Sequence, residues 1–251
     1  MSMAPNPVPR LAIFGDSHYA CLRRAHTEGL VDLSGLDLEY WGHVGRRFRM
    51  LEFRDGAIYP TDEYTADRFA KFNEKGRRFL PAADFDVILF MGCRIDLSLF
   101  FLGMLDAAMR GQHLSLGLRR AMLRHRLSSL PSYEMAQKMA AMGMADIYLH
   151  PVSLVGFEGP YYDSVKTDAM MQSTPQVRGE IWQFMAEEMA QDGITFIPQP
   201  EQTIIQGIYS DPAYITLNSL GQTDFTHRNA AYGALIYQQL LQHIQGAAEL
   251  S

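Results

Sequence analysis

The strongest constraint on what this chain can fold into is a rhythm. Five short apolar runs, Leu11 to Gly15, Leu36 to Trp41, Phe85 to Met91, Asp146 to Val152 and Ile194 to Ile197, are separated by longer segments with helical periodicity. Strand-length runs alternating with helices predict a parallel sheet of about five strands, because each parallel crossover needs a connecting helix and the helices then bury both faces. At 251 residues the chain is long enough for one large core or two small ones. No composition break and no internal repeat divides it. A single domain is therefore expected over residues 11–251, after a lead-in over residues 1–10 that carries three prolines and reads as disordered.

Composition narrows the function classes. With 47% hydrophobic and 20% charged residues the chain is an ordinary globular protein. Its formal net charge of -6 argues against nucleic acid, whose binding is driven by cations that neutralise phosphates. No run approaches the ~20 apolar residues that span a bilayer, and the proline-rich start has no apolar stretch of signal-peptide length. The two cysteines, Cys21 and Cys93, have no zinc-site or redox spacing. A reduced, cytoplasmic protein without a metal centre is the expectation.

Chemistry concentrates in two short words at opposite ends of the chain. Gly15-Asp16-Ser17-His18 follows the first apolar run, which puts Ser17 at the carboxyl edge of the sheet, where open α/β folds hold ligands. Asp224-Phe225-Thr226-His227 precedes the last helix, whose start and buried stripe are read from Asn229 and from Tyr232, Leu235, Ile236, Leu240 and Ile244. A serine hydroxyl is a weak nucleophile until a base takes its proton. His227 is the candidate base, and Asp224, three residues earlier in a tight turn, can reach the imidazole's other nitrogen.

Other segments leave alternatives open. Leu97 to Leu130 reads as one long helical stretch ended by Pro131. Its Phe100, Phe101, Leu102, Met104 and Leu105 suit either core packing or an acyl pocket, and its Arg119, Arg120, Arg124 and Arg126 suit a solvated face or an anion site. Pro151 to Tyr162 is either a surface loop or a substrate-contacting one. There is no Gly-x-Ser-x-Gly elbow, no phosphate loop ending in Lys-Ser/Thr and no His-Glu-x-x-His helix.

The two words resemble the first and last blocks of the GDSL esterase/lipase family, the SGNH hydrolases. Gly15, Asp16 and Ser17 match the first block, with His18 in place of the commoner leucine, and Asp224 and His227 match the last. The resemblance implies a flavodoxin-like, three-layer α/β/α sandwich, with Ser17 as nucleophile and Asp224 and His227 completing the triad. The second-block glycine, whose N–H joins that of Ser17 in the oxyanion hole, is matched better by Gly45 than by Gly42, although either glycine also suits a plain turn.

The third block departs from the family. Gly92-Cys93-Arg94-Ile95-Asp96 places Arg94 where the family has an oxyanion-binding asparagine. Arg94 then donates to the oxyanion, binds an anionic group of the substrate, or pairs with Asp96 or another carboxylate. Asp16, His18, Gly42 and His43 are candidate substrate-side residues, the two histidines being alternatively incidental to their loops. What the resemblance implies is hydrolysis of a small or sugar-linked acyl ester, deacetylase-like, with no cofactor. An acyltransferase, or a weakly active relative that binds a carbohydrate or anion, is the alternative.

Overall fold

The computed structural model describes residues 8–42 and 45–250, so most of the lead-in, and His43, lie outside the described residues. In chain order the elements are β1 (Arg10–Gly15), α1 (Ala20–Thr27), β2 (Asp37–Gly42), β3 (Leu51–Arg54), β4 (Ala57–Pro60), α2 (Glu63–Phe72), β5 (Leu80–Pro81) and β6 (Val87–Met91). There follow α3 (Ser98–Met109), α4 (Leu116–Ser128), α5 (Pro131–Met142), β7 (Asp146–His150), α6 (Asp168–Met171), α7 (Pro175–Ala190) and β8 (Ile194–Phe196). The chain closes with β9 (Ile204–Ile205), β10 (Tyr209–Ser210), β11 (Ile215–Leu217), β12 (Thr223–Arg228) and α8 (Ala230–Leu250).

Five strands form a parallel central sheet in the order β2-β1-β6-β7-β8. These are the five runs expected from the sequence. Their alternation sends side chains to two buried faces. Ala12, Phe14, Trp41, Ile88, Phe90 and Leu149 join one core cluster with α2, α3, α4, α5 and α7, while Leu11, Ile13, Tyr40, Leu89, Met91 and Tyr148 join the other with α1 and α8. The result is an α/β fold with helices on both faces of the sheet, consistent with a flavodoxin-like three-layer sandwich. Among the described residues no helix is long and apolar enough to cross a membrane.

Two readings of the segment 97–130 change. It is two helices, not one, broken after Met109, where Gly111 takes a positive φ of 66° and Ser115 caps α4 by accepting from Leu118 N at 3.2 Å. The arginines of α4 do not lie free on a solvated face. Arg120 donates to Glu188 at 2.7 Å, Arg124 meets Asp192 and the Glu188 carbonyl, Arg119 lies over the Phe184 ring, and Arg126 donates to the Asp96 carbonyl at 3.0 and 2.6 Å. They clamp α4 to α7 and to the loop after β6. Phe100, Phe101, Leu102, Met104 and Leu105 are buried core residues.

Candidate active site

The sheet's carboxyl edge is built first. β1 ends at Gly15, and Asp16 caps the short turn Ser17–Tyr19 that leads into α1, its carboxylate accepting from His18 N at 3.1 Å. Ser17 opens that turn beside the neighbouring strand β6.

β12 delivers the other half. It pairs with β11 through Thr216↔Asp224 and Ile215↔Arg228, so Phe225, Thr226 and His227 bulge out of the ladder between consecutive partners. Such bulges re-aim side chains. His227 Nε2 lies 2.7 Å from Ser17 Oγ, and His227 Nδ1 lies 2.7 Å from Asp224 Oδ2. The other carboxylate oxygen, Asp224 Oδ1, accepts from Thr226 N at 3.0 Å and His227 N at 3.1 Å. The Asp-x-x-His spacing thus acts across a strand bulge in β12 and not in a plain tight turn. Partial burial pushes the Asp224 carboxyl up, but the imidazole and the two N–H donors outweigh it and hold the group below its ordinary range.

The bulge has a brace that sequence reading missed. Arg228 is buried, and its guanidinium donates to the carbonyls of Leu154, Phe225 and His227 on either side of the bulge. Burial lowers its pKa. Nothing in a single sequence separates such an arginine from a surface one.

A second Asp–His pair stands beside the first. His18 Nδ1 is 2.7 Å from the buried Asp16 Oδ1, while Asp16 Oδ2 accepts from Arg94 N at 3.0 Å. Burial opposes the Asp16 charge, yet His18 and the two N–H donors hold its carboxyl low. The His18 and His227 rings are 5.2 Å apart, and His18 Nε2 has no hydrogen-bond partner among the described residues.

Arg94 sits on an unusual backbone. Gly92, Cys93 and Arg94 take consecutive positive φ values of 69°, 51° and 56°. For the two non-glycine residues this conformation costs of order 1–3 kcal/mol each and persists where the surroundings fix it. Here Cys93 Sγ donates to Phe14 O at 3.2 Å and Arg94 N is held by Asp16. The Arg94 side chain is exposed and makes no ion pair among the described residues. Asp96 does not take it: Asp96 Oδ1 accepts from Ser98 N at 2.9 Å and Ser98 Oγ at 2.6 Å.

The glycines divide. Gly45 begins the 3-10 turn Gly45–Met50 just after β2, the strand next to β1. Gly42 is buried in β2 opposite Gly15, where a Cβ would stand 2.1 Å from Gly15 O. Its job is close strand packing.

A cavity of about 500 Å³ is lined by Asp16, His18, Phe225 and Thr226, chain neighbours of Ser17 and His227, and by Arg94 and Ser98. The Pro151–Tyr162 loop forms its other wall through Val152, Ser153, Val155, Tyr161 and Tyr162, and this loop is largely buried. Val152 N donates to Ile95 O at 2.9 Å, Leu154 N to Gln199 Oε1 at 2.8 Å and Gly156 N to Phe225 O at 2.8 Å. Behind Ser153, its hydroxyl donates to Tyr232 Oη, which lies 3.0 Å from Nε2 of the fully buried His150. His150 Nδ1 donates to Ile197 O at 2.9 Å, and burial pushes its pKa down to about 4. The ring is neutral and ties α8 to the sheet.

No protein-family model and no curated protein matches the chain. A solved structure described as "a putative platelet activating factor from Streptococcus pneumonia" is similar at 13% identity, covering 96% of this chain and 86% of that one, with a TM-score of 0.46.

Proposed function

We propose that the protein is a serine-dependent ester hydrolase of the SGNH type, a single catalytic domain acting on a small or sugar-linked acyl ester. The observation that carries this reading is the unbroken relay from Ser17 Oγ to His227 Nε2 at 2.7 Å and from His227 Nδ1 to Asp224 Oδ2 at 2.7 Å. Ser17 Oγ attacks the acyl carbon as its proton passes to His227 Nε2, and Asp224 stabilises the imidazolium that forms. His227 returns that proton to the departing alkoxide. Water then attacks the acyl-enzyme, giving its proton to His227, and the carboxylic acid leaves as Ser17 recovers its proton.

The tetrahedral oxyanion is received by the N–H groups of Ser17 and Gly45, which leaves the exposed Arg94 side chain for another part of the substrate. A missing donor in such a hole costs on the order of 10²- to 10³-fold in turnover. The test is direct. A fluorophosphonate probe labels the wild type and fails to label Ser17→Ala; a folded wild type that stays unlabelled overturns the hydrolase.

A further inference from the structure

Alongside the catalytic cavity runs a second cleft of about 540 Å³, and the two share Arg94 and Asp96 as a common wall. Three arginines, Arg49, Arg94 and Arg126, are among the residues that line the second cleft. None of the three is paired with a carboxylate among the described residues: Arg126 spends two of its donors on the Asp96 carbonyl, and Arg49 and Arg94 are exposed. Several arginines elsewhere meet a carboxylate, Arg10 with Asp86, Arg23 with Glu74, Arg77 with Glu39 and Arg178 with Glu201, while Arg24 and Arg228 are spent on carbonyls and a hydroxyl. Asp96 is the one acid among the residues lining this cleft, and its Oδ1 is occupied by Ser98. The sequence from His43 to Arg47 contains no acidic residue.

Three arginines without a carboxylate partner among the described residues place local positive charge around one cleft of a protein of net charge -6, and guanidinium donors suit planar or tetrahedral oxyanions. A cleft of this size holds a sugar-sized group, within the range of small-molecule sites. At the rim of the neighbouring cavity Tyr161 is 66% exposed, an aromatic face available to a pyranose ring. We infer that the substrate is the ester of an anionic saccharide, whose carboxylate or phosphate is held by Arg49, Arg94 and Arg126 while its acyl group reaches Ser17. This deepens the hydrolase reading and rests on it for the acyl group alone.

The test measures binding without a reacting ester. Calorimetry with glucuronate, glucose 6-phosphate and glucose as probes is expected to show at least one anion binding about tenfold or more tightly than glucose, with the preference shrinking in high salt. Which anion wins separates a carboxylate from a phosphate. Arg49→Gln and Arg94→Gln are each expected to weaken anion binding by about tenfold with Tm unchanged; Arg49, exposed and unpartnered, is the safer variant for the fold. Equal binding of all three probes, no binding of either anion at millimolar concentration, or a preference that both variants keep overturns the inference. Anion binding by a protein whose Ser17 takes no fluorophosphonate retains the cleft and removes the hydrolase.

Discussion

His18 shows how one side chain can support a site without entering its chemistry. Its Nδ1 and backbone N–H both serve Asp16, a buried carboxylate that in turn holds Arg94 N on its left-handed backbone. Removing the ring leaves that carboxylate one donor short, and an unsatisfied buried acceptor costs about 1–3 kcal/mol. We predict that His18→Leu lowers stability by that amount in denaturant titration, while fluorophosphonate still labels Ser17. An unchanged midpoint would show that Asp16 does not depend on the imidazole. Ser17, Asp224 and His227 were legible in the sequence because their spacing and positions near the first run and last helix carry chemistry. Arg228 and the Ser153–Tyr232–His150 chain were not, since their roles exist only where distant segments meet.

At the scale of elements, α8 positions the bulge, because it begins three residues after His227. It lies close against α1: a Cβ on Gly233 would stand 2.3 Å from Cys21 O and 2.5 Å from Cys21 C, both backbone atoms that cannot step aside. Gly233→Ala is expected to push α8 outward at a cost of about 1–3 kcal/mol, the range for overpacking. For a domain of this size that lowers Tm by roughly 2–4 °C per kcal/mol, and turnover should fall with it as His227 shifts. Gly246→Ala in the same helix meets nothing within 4 Å and should raise Tm slightly. If the two variants melt alike, the α1–α8 approach does not set the packing. The five strands were legible from their apolar runs. The break in the 97–130 segment was harder to see, because one glycine and one capping serine are common inside ordinary helical patterns.

For the whole molecule, acid stability is set in part by His150. Its folded pKa lies near 4 because the ring is fully buried, against an ordinary value of 6.5. The sign follows: as pH falls from about 6.5 the unfolded chain takes up a proton that the folded protein refuses. Stability is therefore intact above that pH and is lost by about 3 kcal/mol on reaching pH 4, below which this group adds no further loss. Asp16 and Asp224, both held below the ordinary 3.8, act in the opposite window, their contribution fading only below that value. Unfolding titrations of the wild type and His150→Gln between pH 7 and 4 check this; the variant should show a flatter profile, and parallel profiles would rule His150 out as the cause.

The amino-acid sequence by itself determined the layered α/β architecture and singled out Ser17, Asp224 and His227, because apolar periodicity and short-range spacing are local properties. Tertiary structure alone decided that Asp224 and His227 meet on a strand bulge, that the arginines of α4 are clamps, and that Arg94 stands unpaired between two cavities. Those outcomes depend on which carboxylates and carbonyls the fold brings within hydrogen-bond reach. Such proximity arises between residues tens to hundreds of positions apart, and no local pattern encodes it.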